Sequence, residues 1–135
     1  MQTARVQWVG KEQFIAQAPS GHLVPLDSDR KSNGAPGPME LLLLALGSCT
    51  ATDVVAILTK KRQNLVGLEV EVSGERATEP PLVWTRLELV YKLRGNLDEE
   101  AVKHTIQLSE EKYCSVAAML RRSAPITFRY EIQRD

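Results

Sequence analysis

There is no surplus of charge of either sign in this chain: 17 Lys and Arg face 17 Asp and Glu, for a formal net charge of zero. Proteins that grip nucleic acid draw affinity from cationic side chains that displace counterions from phosphates, so the balance argues against a nucleic-acid partner. Long hydrophobic runs are also missing. The longest, Leu41 to Leu46, falls far short of the roughly 20 apolar residues that span a bilayer. The opening segment, Met1 to Trp8, has no uninterrupted apolar core of the secretory kind. No membrane partner and a cytoplasmic location are therefore expected. Cysteine and histidine are scarce, two of each and no CxxC pair, which is too few for a disulfide scaffold and a poor basis for zinc. In a reducing compartment, two thiols are either inert core residues or a redox pair.

What is present is ordinary globular material. The chain has 135 residues, 43% of them hydrophobic and 25% charged, a composition that buries a sizeable core in one domain over residues 1–135 and excludes global disorder. Between Ala4 and Asp27 apolar residues partly alternate, with breaks at Gly10 and Ser20-Gly21, predicting two or three short antiparallel strands. Ser28 to Pro38 carries Asn33-Gly34 and Pro36-Gly37-Pro38 and reads as a loop. Pro38 suits a first helical turn, where its missing N–H costs nothing, and a helix from about Pro38 to Arg62 follows. Met39 to Leu46 is apolar around nearly the whole circumference, the mark of a helix buried on all sides. At 1.5 Å per residue such a helix runs roughly 35 Å, too long for so small a domain to enclose. Burial by a second subunit is the expected remedy.

Beyond Gly67, Leu68, Val70 and Val72 alternate with polar residues, and Leu87, Leu89, Tyr91 and Leu93 do so again after Glu79-Pro80-Pro81. This predicts a hairpin with one buried face. Asp98 to Glu111 has apolar residues at helical spacing, with Asn96 or Asp98 as cap. Ser115 to Arg122 reads as a short helix, and Ile126, Phe128, Tyr130 and Ile132 close the chain as a strand. The order defines an α+β fold.

Cys49 lies midway along the long helix with Asp53 one turn later, where a carboxylate can accept a bond from the thiol or hold a cation; a free cysteine there can equally be a small core residue. Cys114 sits between the second helix and the short third one, where free N–H groups favour thiolate. It can equally fill a helix junction.

The segment from Asn33-Gly34-Ala35-Pro36-Gly37-Pro38-Met39-Glu40-Leu41 to Gly47-Ser48-Cys49, together with Tyr113-Cys114-Ser115-Val116-Ala117-Ala118-Met119-Leu120, resembles the OsmC/Ohr family of osmotically inducible and organic hydroperoxide resistance proteins. Within it, the YhfA-like branch is nearest. The resemblance covers essentially the whole chain. It implies an OsmC-like intertwined homodimer, with antiparallel sheets wrapped around long buried central helices and active sites at the subunit interface. It further implies a thiol-dependent peroxidase for organic hydroperoxides, with hydrogen peroxide as a further candidate substrate. Cys49 is then the peroxidatic nucleophile and Cys114 the resolving thiol, with a lipoamide-like dithiol as reductant and neither metal nor bound cofactor. Peroxidase members also use an arginine ahead of the central helix, for which Arg30 is the nearest match, and a glutamate directly after the helix-opening proline. Here Met39 holds that place, and Glu40 follows it. One residue rotates a helix by about 100°, so Glu40 is expected to face elsewhere and to leave Arg30 loosely held. Two other readings stay open: a non-enzymatic OsmC-like dimer that binds a small apolar or thiol ligand, its cysteines incidental, and a redox-sensing disulfide protein that uses the same pair.

Overall fold

In the computed structural model, residues 1–135 are described, and they form two compact units, Met1–Leu42 and Leu43–Asp135. The first holds three short strands, β1 (Arg5–Gly10), β2 (Gln13–Gln17) and β3 (Leu23–Asp27), in an antiparallel sheet of order β1-β2-β3. Gly10 and Lys11, at φ of 123° and 49°, make the tight first turn, and Gly21 at 95° makes the second. These are backbone conformations that glycine adopts at little cost. Within this chain the sheet leaves Val6, Trp8, Val9 and Leu23 exposed.

Helix α1 (Pro38–Lys60) opens at the proline and runs on into the second unit, with Glu40 in its first turn and Lys60 in its last, each at the favourable end of the dipole. Its stripe of Leu46, Thr50, Val54 and Leu58 is fully buried. The expectation of burial on all sides is not met within one chain, because Leu44 is 60% and Val55 45% exposed on the rest of the circumference. The helix is 23 residues long with a mean hydropathy of 2.1 over its best window, so by length and composition it is apolar enough to cross a membrane. Its inward stripe instead packs into the apolar core, and Thr50 within it bonds the hydroxyls of Tyr91 and Ser109, which is how a core helix behaves.

The second unit also contains β4 (Gly67–Arg76), β5 (Trp84–Arg94), α2 (Glu99–Leu108), a π-helical turn (Ser109–Tyr113), α3 (Ser115–Leu120) and β6 (Ile126–Gln133). Strands β4 and β5 form the expected antiparallel hairpin, with Val70 opposite Tyr91 and Val72 opposite Leu89. Asp98 caps α2 by accepting from the Ala101 N–H at 3.0 Å. The α+β class holds, but the wholly antiparallel sheets do not: β6 pairs with β5 in parallel, Tyr130 beside Tyr91. The chain between those strands contains two helices and a π turn, long enough for the crossover that parallel pairing requires. Leu87, Leu89, Tyr91 and Leu93 of β5 form the buried face, packed with Val102 and Ile106 of α2 and Ala117 of α3.

Gly47 sets how closely α1 approaches this sheet. A Cβ on it would sit 2.9 Å from Val72 Cγ2, and valine is stiff at χ1 and yields poorly. Gly47→Ala should therefore destabilise the protein by about 1–2 kcal/mol, overpacking outweighing the roughly 1 kcal/mol gain in helix propensity. Urea unfolding of Gly47→Ala with and without Val72→Ala checks this, since the second change should remove the penalty.

Candidate active site

The residues expected to carry function fall into two groups. Arg30 and Glu40 belong to the smaller unit, where the loop after β3 is organised around Asp27. That side chain is 1% exposed and accepts from Asp29 N at 2.9 Å, Gly34 N at 3.0 Å and Ser32 Oγ at 2.8 Å. The backbone bonds from Gly34 and Asp29, with the Ser32 hydroxyl, bring its carboxyl down to about 2. The loop so held presents Arg30. Its Nη1 donates to Glu40 Oε1 at 2.9 Å and Asn33 Oδ1 at 3.4 Å, while Nη2 donates to Ala35 O at 3.2 Å and to the Asp27 carbonyl.

The expectation that Glu40 faces away from a loosely held Arg30 is therefore wrong. The guanidinium reaches the second residue of the helix rather than the first after the proline, because the loop folds back on Asp27 and brings Arg30 to Glu40. Both side chains remain about half exposed.

Cys49 and Cys114 belong to the larger unit, and the fold brings them within hydrogen-bonding reach of each other. Both thiols are free. Cys114 caps α3, its Sγ accepting from Ala117 N at 3.3 Å. The preceding amide, Val116 N–H, bonds Cys49, whose Sγ also lies 3.8 Å from Ser115 Oγ. Burial opposes charge on Cys49, but the bonds from Val116, the Cys114 thiol and Ser115 outweigh it and hold the thiol below its ordinary range. Cys114 is 3% exposed, and burial, aided by the neighbouring Cys49, pushes its thiol up to about 12. One sulfur is thus biased toward thiolate and the other is kept as a thiol that donates to it.

Asp53 does not take the thiol bond envisaged for it. It accepts from Ser109 Oγ at 2.8 Å, and its negative charge works against the Cys49 thiolate. Residue types alone also passed over Ser115, the Val116 amide and the buried cluster of Thr50, Tyr91 and Glu110. Glu110 left one trace: it continues the Val102, Ile106 stripe at a spacing of four, where a carboxylate on an apolar face signals a buried acid.

A family model described as OsmC-like protein matches residues 31–129, and the chain belongs to that family. Protein YhfA of Escherichia coli strain K12 is 43% identical over 130 residues, covering 96% of each chain. A hypothetical protein from Aquifex aeolicus VF5, solved as a crystal structure, is 29% identical with a TM-score of 0.90, over 100% of this chain and 98% of that one. The organic hydroperoxide resistance protein OhrB of Bacillus subtilis superposes with a TM-score of 0.67 at 16% identity, over 96% and 98% of the two chains; that likeness is one of fold.

The bonds at Cys49 generate a test. Its alkylation by iodoacetamide should reach half its limiting rate at a lower pH than an ordinary cysteine's. Ser115→Ala removes a bond that favours thiolate and should move that midpoint up, whereas Asp53→Asn removes a repelling charge and should move it down. Identical profiles for all three proteins would show that these neighbours do not set the thiol.

Proposed function

We propose that the protein is a thiol-dependent peroxidase that reduces organic hydroperoxides, working as a homodimer in the cytoplasm. The observation that carries this reading is the asymmetry of the thiol pair, one held toward thiolate and the other pushed up to about 12 within bonding reach of it. Cys49 thiolate attacks the O–O bond, releasing an alcohol and leaving a sulfenic acid. Cys114 condenses with that acid to form the disulfide and release water. A dithiol of the lipoamide kind then restores both thiols.

Arg30 and Glu40 complete the set by carry-over from the family, and their ion pair supports Glu40 in place of Met39 as the carboxylate that orients the arginine. The uncovered apolar side chains of α1 and of the first sheet support the homodimer, since a single chain leaves Leu44, Val55, Val6 and Trp8 exposed.

Consumption of tert-butyl hydroperoxide with dihydrolipoamide as reductant should be abolished by Cys49→Ser, and Cys114→Ser should leave a single turnover that ends in an accumulating sulfenic acid. Glu40→Gln should slow turnover by roughly 10 to 1000-fold, about 1.4–4 kcal/mol of transition-state stabilisation, with Met39→Gln much milder. Turnover that survives Cys49→Ser sinks the reading. An interface that covers these surfaces buries more than about 2,000 Å², so sedimentation should find no folded monomer at micromolar protein.

A further inference from the structure

Five side chains from α1, β5 and the π turn form an unbroken line of oxygen atoms. Asp53 Oδ2 lies 2.8 Å from Ser109 Oγ, which lies 2.8 Å from Thr50 Oγ1; Thr50 Oγ1 is 2.5 Å from Tyr91 Oη, and Tyr91 Oη is 2.6 Å from Glu110 Oε1. Thr50 directly follows Cys49 on α1, and Asp53 is one turn further on. Ser109 and Glu110 open the π turn that ends at Cys114, whose N–H donates to Ser109 O at 2.8 Å. The line therefore ties one cysteine-bearing segment to the other. Thr50, Ser109 and Tyr91 have no exposed surface, and Glu110 is 4% exposed.

The hydrogens in this line can be counted. Each link needs one hydrogen between its two oxygens, and there are four links but only three hydroxyls, those of Ser109, Thr50 and Tyr91. An ionised carboxylate only accepts. With both ends ionised, one link would set lone pair against lone pair in a buried site, which is repulsive. A single proton on one carboxyl completes the line, every hydroxyl then donating to one neighbour and accepting from the other.

The proton belongs at the buried end. Asp53 is partly exposed and lines an open cleft of about 480 Å³ with Lys60 and Lys61. Glu110 faces Tyr91 from β5, Thr50 and Asp53 from α1, Arg121 from beyond α3, and Cys114. Its burial and the Asp53 charge favour the neutral form, Tyr91, Arg121 and Thr50 favour the charged one, and burial prevails. Arg121 Nη2 donates to the Glu110 carbonyl at 2.8 Å, closer than its 3.3 Å to Oε2, so the shorter bond persists whatever the carboxyl's charge.

We propose that Asp53 and Glu110 share one proton along this line, that Glu110 holds it at neutral pH, and that the line positions Cys114 for disulfide formation without setting a negative charge beside it. The last part rests on the thiol-peroxidase reading; the shared proton does not. In the resolving step Cys114 Sγ attacks the sulfenic sulfur of Cys49: the S–S bond forms, the S–O bond breaks, and the departing hydroxide takes the Cys114 proton to leave as water. An ionised Glu110 opposes loss of that proton by repelling the developing thiolate. A neutral Glu110 removes the opposition and keeps the bracing. Glu110 and Tyr91 are thus positioning residues, acting through Cys114.

The test follows the Glu110 side-chain carboxyl carbon by NMR against pH in the reduced full-length protein, identified by its loss in Glu110→Gln. The carboxyl should be neutral at neutral pH, and Asp53→Asn should lower its titration midpoint. Glutamine imitates the neutral acid and can donate to Tyr91, so Glu110→Gln should fold and form the Cys49–Cys114 disulfide within about twofold of the wild-type rate after a peroxide pulse. Glu110→Ala should slow that step by about tenfold or more and divert Cys49 to sulfinic acid, read by mass spectrometry. Above the Glu110 midpoint, the wild-type rate should fall behind that of Glu110→Gln. A carboxyl already ionised at neutral pH, or a Glu110→Gln protein that cannot fold, overturns the shared proton. Equal disulfide formation in Glu110→Ala and wild type overturns the positioning role. A wild-type protein that consumes no peroxide overturns the peroxidase reading, and the carboxyl titration still decides the proton.

Discussion

Two consecutive main-chain amides at the start of α3 face different sulfurs, Val116 N–H toward Cys49 and Ala117 N–H toward Cys114, and everything that distinguishes the thiols is added to that shared platform. Cys49 gains the Ser115 hydroxyl and the Cys114 thiol as further donors and keeps some access to solvent. Cys114 has the one amide, is almost fully enclosed, and feels the other sulfur beside it. A main-chain donor survives every substitution of its own side chain except proline. The difference between the two thiols is thereby written into where α3 begins, and only secondarily into which side chains surround it.

The features legible in the sequence were the local ones. The alternation of Leu87, Leu89, Tyr91 and Leu93 gave β5 and its buried face, Pro38 marked the start of α1, and Asp98 was a recognisable cap. The direction of β6 was not legible, because apolar alternation is the same in parallel and antiparallel strands and only the intervening crossover decides. The two cysteines stood out as residue types, but their partners did not, since amides carry no residue signature. The contact of Glu40 with Arg30 is hidden in the sequence for a related reason. Helical phase says where its Cα lies, yet contact with Arg30 depends on a loop folded on Asp27, whose aspartate reads in sequence as one more polar residue.

The chain also shows how a small protein keeps polar groups inside a core without leaving any unsatisfied. No buried side-chain nitrogen or oxygen lacks a partner, although Thr50, Tyr91, Ser109 and Glu110 are all buried. Each of these is joined to a different element, so they act as cross-ties among α1, β5 and the π turn where purely apolar contacts would slide. Apolar packing of Leu46, Val54 and Leu58 supplies adhesion for α1, and the hydroxyls supply its register.

The π turn before Cys114 carries a consequence of its own. Its backbone spans five residues from Ser109 O to Cys114 N, one more than an α-helical bond closes. The side chains of Glu111, Lys112 and Tyr113 are exposed, so the position of Cys114 depends little on their identities. It depends on their number. Losing one residue would close the turn as ordinary α-helix and rotate everything beyond it by about 100°, carrying the sulfur of Cys114 away from its counterpart while every residue type remained in place. In this segment the heritable unit is a length, and an alignment that scores only identities would miss the change that matters most.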